Sequence, residues 1–331
     1  MTTITYDYSP EAAEQQGEIL YQAIRQMQQD SGDTLYLLVD PVLLLQRTDT
    51  PFVQTLVNRA PACVPLPHKT LPQSAYPWLL ALDRANEDDQ TLLRNSIIVA
   101  LEELHPESLC QNRGRGICGW LTSGASMADL IKQLGHTAVQ KQPNQGSVLM
   151  RYYDPAVHSL LWSQLNEMQQ RRMGGLLSGW LFPDGDGQLV MHRFQPARVL
   201  YSTFSLGLSA EQHDFILSTC GIINRTLRRY RQQNSHQLRH PEQAAASYIL
   251  LALARQAGHP ALQQSADKER FALQILQFHP AIDQHPKITD LLDPDTFGDN
   301  VSWTKRTLNI TPETWQRYAR ELAESQTTEN Q

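Results

Sequence analysis

The chain has 331 residues, beyond the roughly 250–300 that one hydrophobic core serves, so two lobes are expected. Its hydrophobic fraction of 41% and charged fraction of 19% exclude a wholly disordered chain, and the net charge of −6 argues against bulk binding to nucleic acid. The longest apolar run, Ala244 to Ala254, is broken by Ser247 and is too short to span a bilayer, and no basic-then-apolar leader opens the chain, so the expected location is the cytoplasm, without membrane insertion.

Ser9-Pro10-Glu11 reads as a capped helix start, with Ile19, Leu20, Ala23, Ile24 and Met27 as its apolar stripe and Ser31-Gly32 as its stop. Thr34 to Val39 then reads as a buried strand, closed by Asp40-Pro41. Thr50-Pro51 opens a short helix. The prolines at 61, 65, 67, 72 and 77 forbid a persistent helix or central strand, so Cys63 to Leu66 is at most an edge strand. Trp78 to Leu82 supplies an apolar anchor, Asp88 to Leu104 has helical periodicity, Ile117 to Leu121 is strand-like, and a helix holds Met127, Leu130, Ile131 and Leu134.

Val148 to Tyr153 reads as a central strand covered on both faces. Asp154-Pro155 starts the next helix, the carboxylate accepting from free N–H groups while proline presets φ. Asp40, Asp154 and Pro155 are therefore structural, and Arg151 is expected to pair with Asp40 and so tie the two strand-end turns together. The run Arg151-Tyr152-Tyr153-Asp154-Pro155, with Tyr36 to Asp40 upstream and Ala60-Pro61 between, resembles the effector-chaperone (adaptor) family of bacterial type VI secretion systems, long catalogued as a domain of unknown function. The likeness spans about residues 35–165. It implies a non-catalytic protein that binds a secreted toxin effector, through the effector's N-terminal region, and helps load it onto the VgrG-type spike-tip protein. Arg151, Tyr152 and Tyr153 become candidate partner-binding residues. Ala156 stands where the family often has arginine, so no role is carried over to that position.

Gly179 to Phe182 and Leu189 to Phe194 flank a hairpin turn at Pro183 to Gly187. Ser209-Ala210-Glu211-Gln212 is a capping box opening a long helix that displays Arg225, Arg228, Arg229 and Arg231. Seven arginines against two carboxylates between His192 and His240 make this a candidate docking face for an acidic region of a partner. The remainder reads as all-helical. Ala244 to Ala254 is expected at its centre, the His-Pro dipeptides at 240, 259, 279 and 285 mark helix boundaries, and a last helix holds Trp315, Tyr318 and Leu322. The expected fold is an α/β N-terminal lobe with a small mixed sheet (residues 1–208), an all-helical C-terminal lobe (209–323) and a disordered tail (324–331), with the effector held in a concave surface between the lobes.

Gly114-Arg115-Gly116-Ile117-Cys118-Gly119 matches G-x-G-x-x-G, but the strand follows the glycines instead of preceding them, so a turn is expected and no cofactor. Asp184-Gly185-Asp186-Gly187 lacks the later ligands of a calcium loop, and Cys63, Cys110, Cys118 and Cys220 have no zinc spacing, so no metal is expected. Two other functions compete with the adaptor reading: a hydrolase built on His158, Asp154 and a serine, and a nucleic-acid-binding regulator using the Arg225–Arg231 helix. Against the first stands the lack of a motif that positions a nucleophile; against the second, the lack of an aromatic platform beside the arginines.

Overall fold

The computed structural model describes residues 9–47, 50–111, 113–142, 146–198, 203–234, 238, 240–297 and 301–329. The chain divides into two compact units, one made by residues 6–213 and the other by the residues from Asp214 onward.

The first unit opens with α1 (Pro10–Ser31), whose N-cap Ser9 accepts from Ala12 N and which stops at Gly32 in the left-handed region. Strand β1 (Thr34–Val39) is followed by two short helices, α2 (Pro41–Leu44) and α3 (Pro51–Asn58). Among the prolines lie the two-residue β2 (Ala62–Cys63), at a sheet edge, and β3 (Trp78–Leu82). Helices α4 (Glu87–Glu102) and α5 (Pro106–Cys110) precede β4 (Ile117–Ser123) and α6 (Met127–Thr137). Next come β5 (Val139–Gln142), β6 (Gly146–Leu149), α7 (Pro155–Trp162), α8 (Glu167–Gly174) and the hairpin of β7 (Gly179–Pro183) with β8 (Leu189–Arg193).

Six of these strands form one sheet in the order β2-β3-β1-β4-β7-β8, with every pairing antiparallel. At its centre Leu37 of β1 faces Leu80 on one side and Trp120 on the other. Alternate residues serve opposite faces. Leu35, Leu37, Val39, Trp120 and Leu181 join Leu20 and Ile24 of α1 and Leu93 and Ile97 of α4 in one core cluster. Trp180, on the opposite face, meets the rings of Tyr152 and His158.

The strand predicted at the centre of the sheet over 148–153 is not there. Only Gly146–Leu149 is extended, and it pairs with β5 in a separate two-stranded ribbon. Beyond it Met150 N bonds to Ala138 O at 2.7 Å and Tyr152 N to Met150 O at 2.8 Å, which turns the chain. Met150, Tyr152 and Tyr153 are all buried, so the large apolar side chains bury themselves in a turn without alternating across a strand.

The capping box at Ser209 is present: Ser209 Oγ accepts from Gln212 N, and Gln212 Oε1 accepts from Ser209 N. It opens α9 (Ala210–Asp214), which continues through a wide π turn, Phe215–Thr219, into α10 (Cys220–Gln233). The second unit adds α11 (Glu242–Arg255), α12 (Ser265–Gln277), α13 (Pro286–Leu292), α14 (Pro294–Phe297), α15 (Trp303–Arg306) and α16 (Pro312–Glu329). Its centre is α12, not the alanine-rich α11: residues 271–276 are buried without a break, whereas Leu251 of α11 is exposed. Small alanines fill little volume, so the core forms around Phe271, Ile275 and Trp303. The last helix runs to Glu329, through residues expected to form a disordered tail. An Arg317–Glu321 pair at i,i+4 supports its middle. No helix among the described residues is long and apolar enough to cross a membrane.

Candidate functional site

Asp40 ends β1, and its Oδ1 accepts from Val42 N at 2.9 Å and Leu43 N at 3.4 Å, so it caps α2 with Pro41 in the first helical position. Asp154 does the same for α7: its Oδ1 accepts from Ala156 N at 3.0 Å, and Pro155 follows. Each carboxylate keeps its second oxygen for the same cation. Arg151 Nη2 lies 2.7 Å from Asp40 Oδ2 and 3.4 Å from Asp154 Oδ2. One guanidinium therefore bridges two helix caps, across 111 residues of sequence in the case of Asp40. Asp40 N also donates to Gly116 O at 2.7 Å, which ties the approach to β4 into the same knot.

The Asp40 carboxylate is buried, while 37% of the Arg151 side chain remains accessible. Burial pushes the Asp40 carboxyl up, opposed by Arg151 and by the two backbone N–H groups. For Arg151, burial works against the charge and is overcome by Asp154 and Asp40, so the guanidinium is held above its ordinary value. Both shifts favour the protonated form, which is neutral for Asp40 and charged for Arg151. The 2.7 Å contact, with two N–H groups on the other carboxylate oxygen, fits an ion pair.

Tyr152 and Tyr153, expected to touch a partner, are interior. Tyr152 is fully buried, its hydroxyl donates to Leu134 O at 3.3 Å, and its ring stands edge-on to Trp180 at 5.6 Å. Tyr153 is 4% exposed, with its ring centre 6.0 Å from the Arg151 guanidinium carbon. Burial raises both phenols and the neighbouring Cys118 thiol, so all three stay protonated at neutral pH. Of the three candidates in this stretch, only Arg151 reaches the surface.

His158, one turn along α7, turns away from Asp154. Its Nδ1 lies 3.0 Å from Tyr152 O, and its ring lies nearly parallel to those of Trp162 and His192, with centroids at 5.6 and 5.0 Å. Trp162 and His192 themselves stack at 3.8 Å. Burial lowers His158 to about 3 and His192 to about 4, and Nε2 of each is buried without a hydrogen-bond partner. The Asp154–His158 pairing on which a hydrolase would depend is absent, because the carboxylate is given to the helix start and to Arg151. His192 was not singled out beforehand. Its alternation with Phe194 on a predicted strand was the one local signal that it faces an aromatic cluster.

The arginine helix is not one charged face. Arg231 is buried against Glu242 and cannot serve as a docking residue: it falls on the inward stripe with Ile223 and Leu227, four residues apart in turn. Arg225 Nε is paired with Glu269 Oε1 at 2.7 Å. Arg228 is half-buried and Arg229 exposed.

The two loops that resembled ligand motifs are built for their own turns. Asp184 Oδ1 accepts from Asp186 N and Gln188 N, closing the hairpin. Gly119 has φ 131° and pairs with Leu38 beside a bulge in which Cys118 is the extra residue, and a Cβ on Gly119 would come within 2.6 Å of Leu181 O. At Gly116 a Cβ would lie 2.9 Å from Leu44 Cα. The glycine spacing thus answers to packing. No group of three or more histidine, cysteine, aspartate or glutamate side chains suited to holding a metal occurs among the described residues.

No curated protein and no solved structure matches the chain. Residues 35–172, which contain Asp40, Arg151, Asp154 and Pro155, match the model of a family described as a domain of unknown function (DUF4123).

Proposed function

We propose that this protein is a cytoplasmic chaperone or adaptor that binds a type VI secretion effector and helps load it onto the spike-tip protein, by binding without chemistry. The observation that carries the reading is the family match over residues 35–172, which takes in both Asp-Pro helix starts and the arginine between them. The arrangement suits a binding scaffold. The knot fixes where α2 and α7 begin, and next to it α2 leaves Val42 49% exposed and the following Leu45 36% exposed. Apolar side chains held outward on a fixed element are what a protein partner can bury.

Affinity purification of the tagged protein from its own host, followed by mass spectrometry, tests the proposal. Recovery of one large toxin-like chain, with or without a spike protein, is the expected result. A solitary protein, recovered from cells that express the secretion system, would overturn it.

A further inference from the structure

Within the first unit, α1, α4, α5 and the β7–β8 turn enclose an open groove of about 1510 Å³. That exceeds the roughly 300–1,000 Å³ of small-molecule pockets, so its dimensions suit a segment of polypeptide. Ile97, Leu101 and Leu104 make it apolar below, and Ile98 stands in it 53% exposed. The turn is held against α1 by Gln16 Nε2, which donates to Gly187 O at 2.6 Å.

The rim is acidic. Glu14 and Glu18 lie one turn apart on α1, Glu102 ends α4, Glu107 is on α5 and Asp186 is in the turn. Two guanidiniums stand against these five carboxylates, those of Arg94 and Arg113. Arg94 and Glu18 neutralise each other at 3.1 Å, with the guanidinium 3.6 Å above the Tyr21 ring, so the remaining balance is four carboxylates to one guanidinium, and the rim stays acidic. Carboxylates spread along a groove with apolar side chains below them complement a segment that carries positive charges on one side and apolar groups on the other. A polyanion would be repelled.

We infer that this groove is a docking site for a cationic amphipathic segment of a partner protein. The inference rests on the adaptor reading for the identity of that partner and deepens it by naming the surface and the chemistry recognised.

The test uses the full chain and two labelled synthetic peptides of identical helical leucine spacing, one with lysines and one with glutamates at the polar positions, followed by fluorescence anisotropy. The lysine peptide is expected to bind, the glutamate peptide not, and affinity should fall about tenfold from low to high salt. Glu14→Lys with Glu102→Lys should weaken binding about tenfold. The control pair Glu87→Lys with Glu167→Lys, equal in net charge but outside the groove, should leave it unchanged. Ile98→Ser, at an exposed position that the fold tolerates, should weaken binding about threefold without altering the salt slope, and it keeps the test decisive if the double variant fails to fold. Equal losses in the two charge pairs, or equal binding of the two peptides, would overturn the groove. Effector capture by the wild type is read separately. Capture without peptide binding rejects the groove and leaves the adaptor reading standing; peptide binding lost on groove substitution, without capture, supports the groove and rejects the adaptor reading.

Discussion

Arg151 neutralises two carboxylates that a neutral residue would leave facing each other at the ends of β1 and the 150–154 turn. Removing it strands the buried Asp40 charge, and the loss lies between that of an exposed pair and that of a fully buried one, about 2 kcal/mol. Arg151→Ala should accordingly lower the melting temperature by several degrees, and an unchanged melting curve would refute the structural role of the pair. The pairing was legible beforehand because both Asp-Pro dipeptides announce helix starts locally, and two carboxylates near one arginine need that cation. The burial of Tyr152 and Tyr153 was not legible, since a motif's exposure depends on what packs over it. His158 and His192 are held neutral in the folded protein by burial, at about 3 and about 4, against about 6.5 in an unfolded chain. Above pH 6.5 neither state takes up these protons and the stability is whole. As the pH falls below 6.5 the unfolded chain protonates first, and stability is lost until the pH has passed through the folded values. His192→Phe, which retains the ring and removes the proton site, should shift the acid-unfolding midpoint, followed by tryptophan fluorescence, to lower pH. No shift would mean that this imidazole does not limit acid stability.

The elements that sequence reading recovered are those with their own start and stop signals: α1 between Ser9 and Gly32, the helix after Thr50, the β7–β8 hairpin and the capping box at Ser209. The His-Pro dipeptides are capping devices as well as boundaries. The Nδ1 atoms of His259, His279 and His285 accept from the N–H two residues on, and His105 before Pro106 does the same. Asp and Ser have short side-chain oxygens for this, whereas a histidine does it only while Nδ1 is unprotonated. Elements defined by tertiary contacts were misread. A run of alternating large apolar residues, Val148 to Tyr153, fits a strand and a buried turn equally well, and the choice was made by Ala138 O and by the space beside Trp180. Close approach also explains the glycines before and within β4. Gly116→Ala places a methyl against the Leu44 backbone, which cannot swing aside, and should cost about 1–3 kcal/mol in chemical denaturation. Stability equal to wild type would show that α2 can shift to admit it.

At the scale of the molecule, the division into an α/β part followed by a helical part was readable from the change in periodicity alone, because a sheet core and a helix-only core demand different patterns. What each part touches was not readable, since a docking surface has no periodicity of its own. An adaptor that works by stoichiometric binding has a thermodynamic signature. Saturating effector, at about a hundred times its dissociation constant, adds about 2.7 kcal/mol to the stability of the part that binds it. Calorimetric scans with the captured effector should show a rise in that transition, and a chain whose melting ignores the effector would not be its chaperone.

The span between Asp40 and Arg151 also bears on how the protein is made. At about 5–20 residues per second of synthesis, a gap of 111 residues keeps the carboxylate waiting roughly 6–22 seconds for its cation. During that interval β1 has left the ribosome without the charge that lets its end be buried. The growing chain can pair β1 with β3 and β4 in that time, but the Asp40 end of the strand stays open until Arg151 arrives.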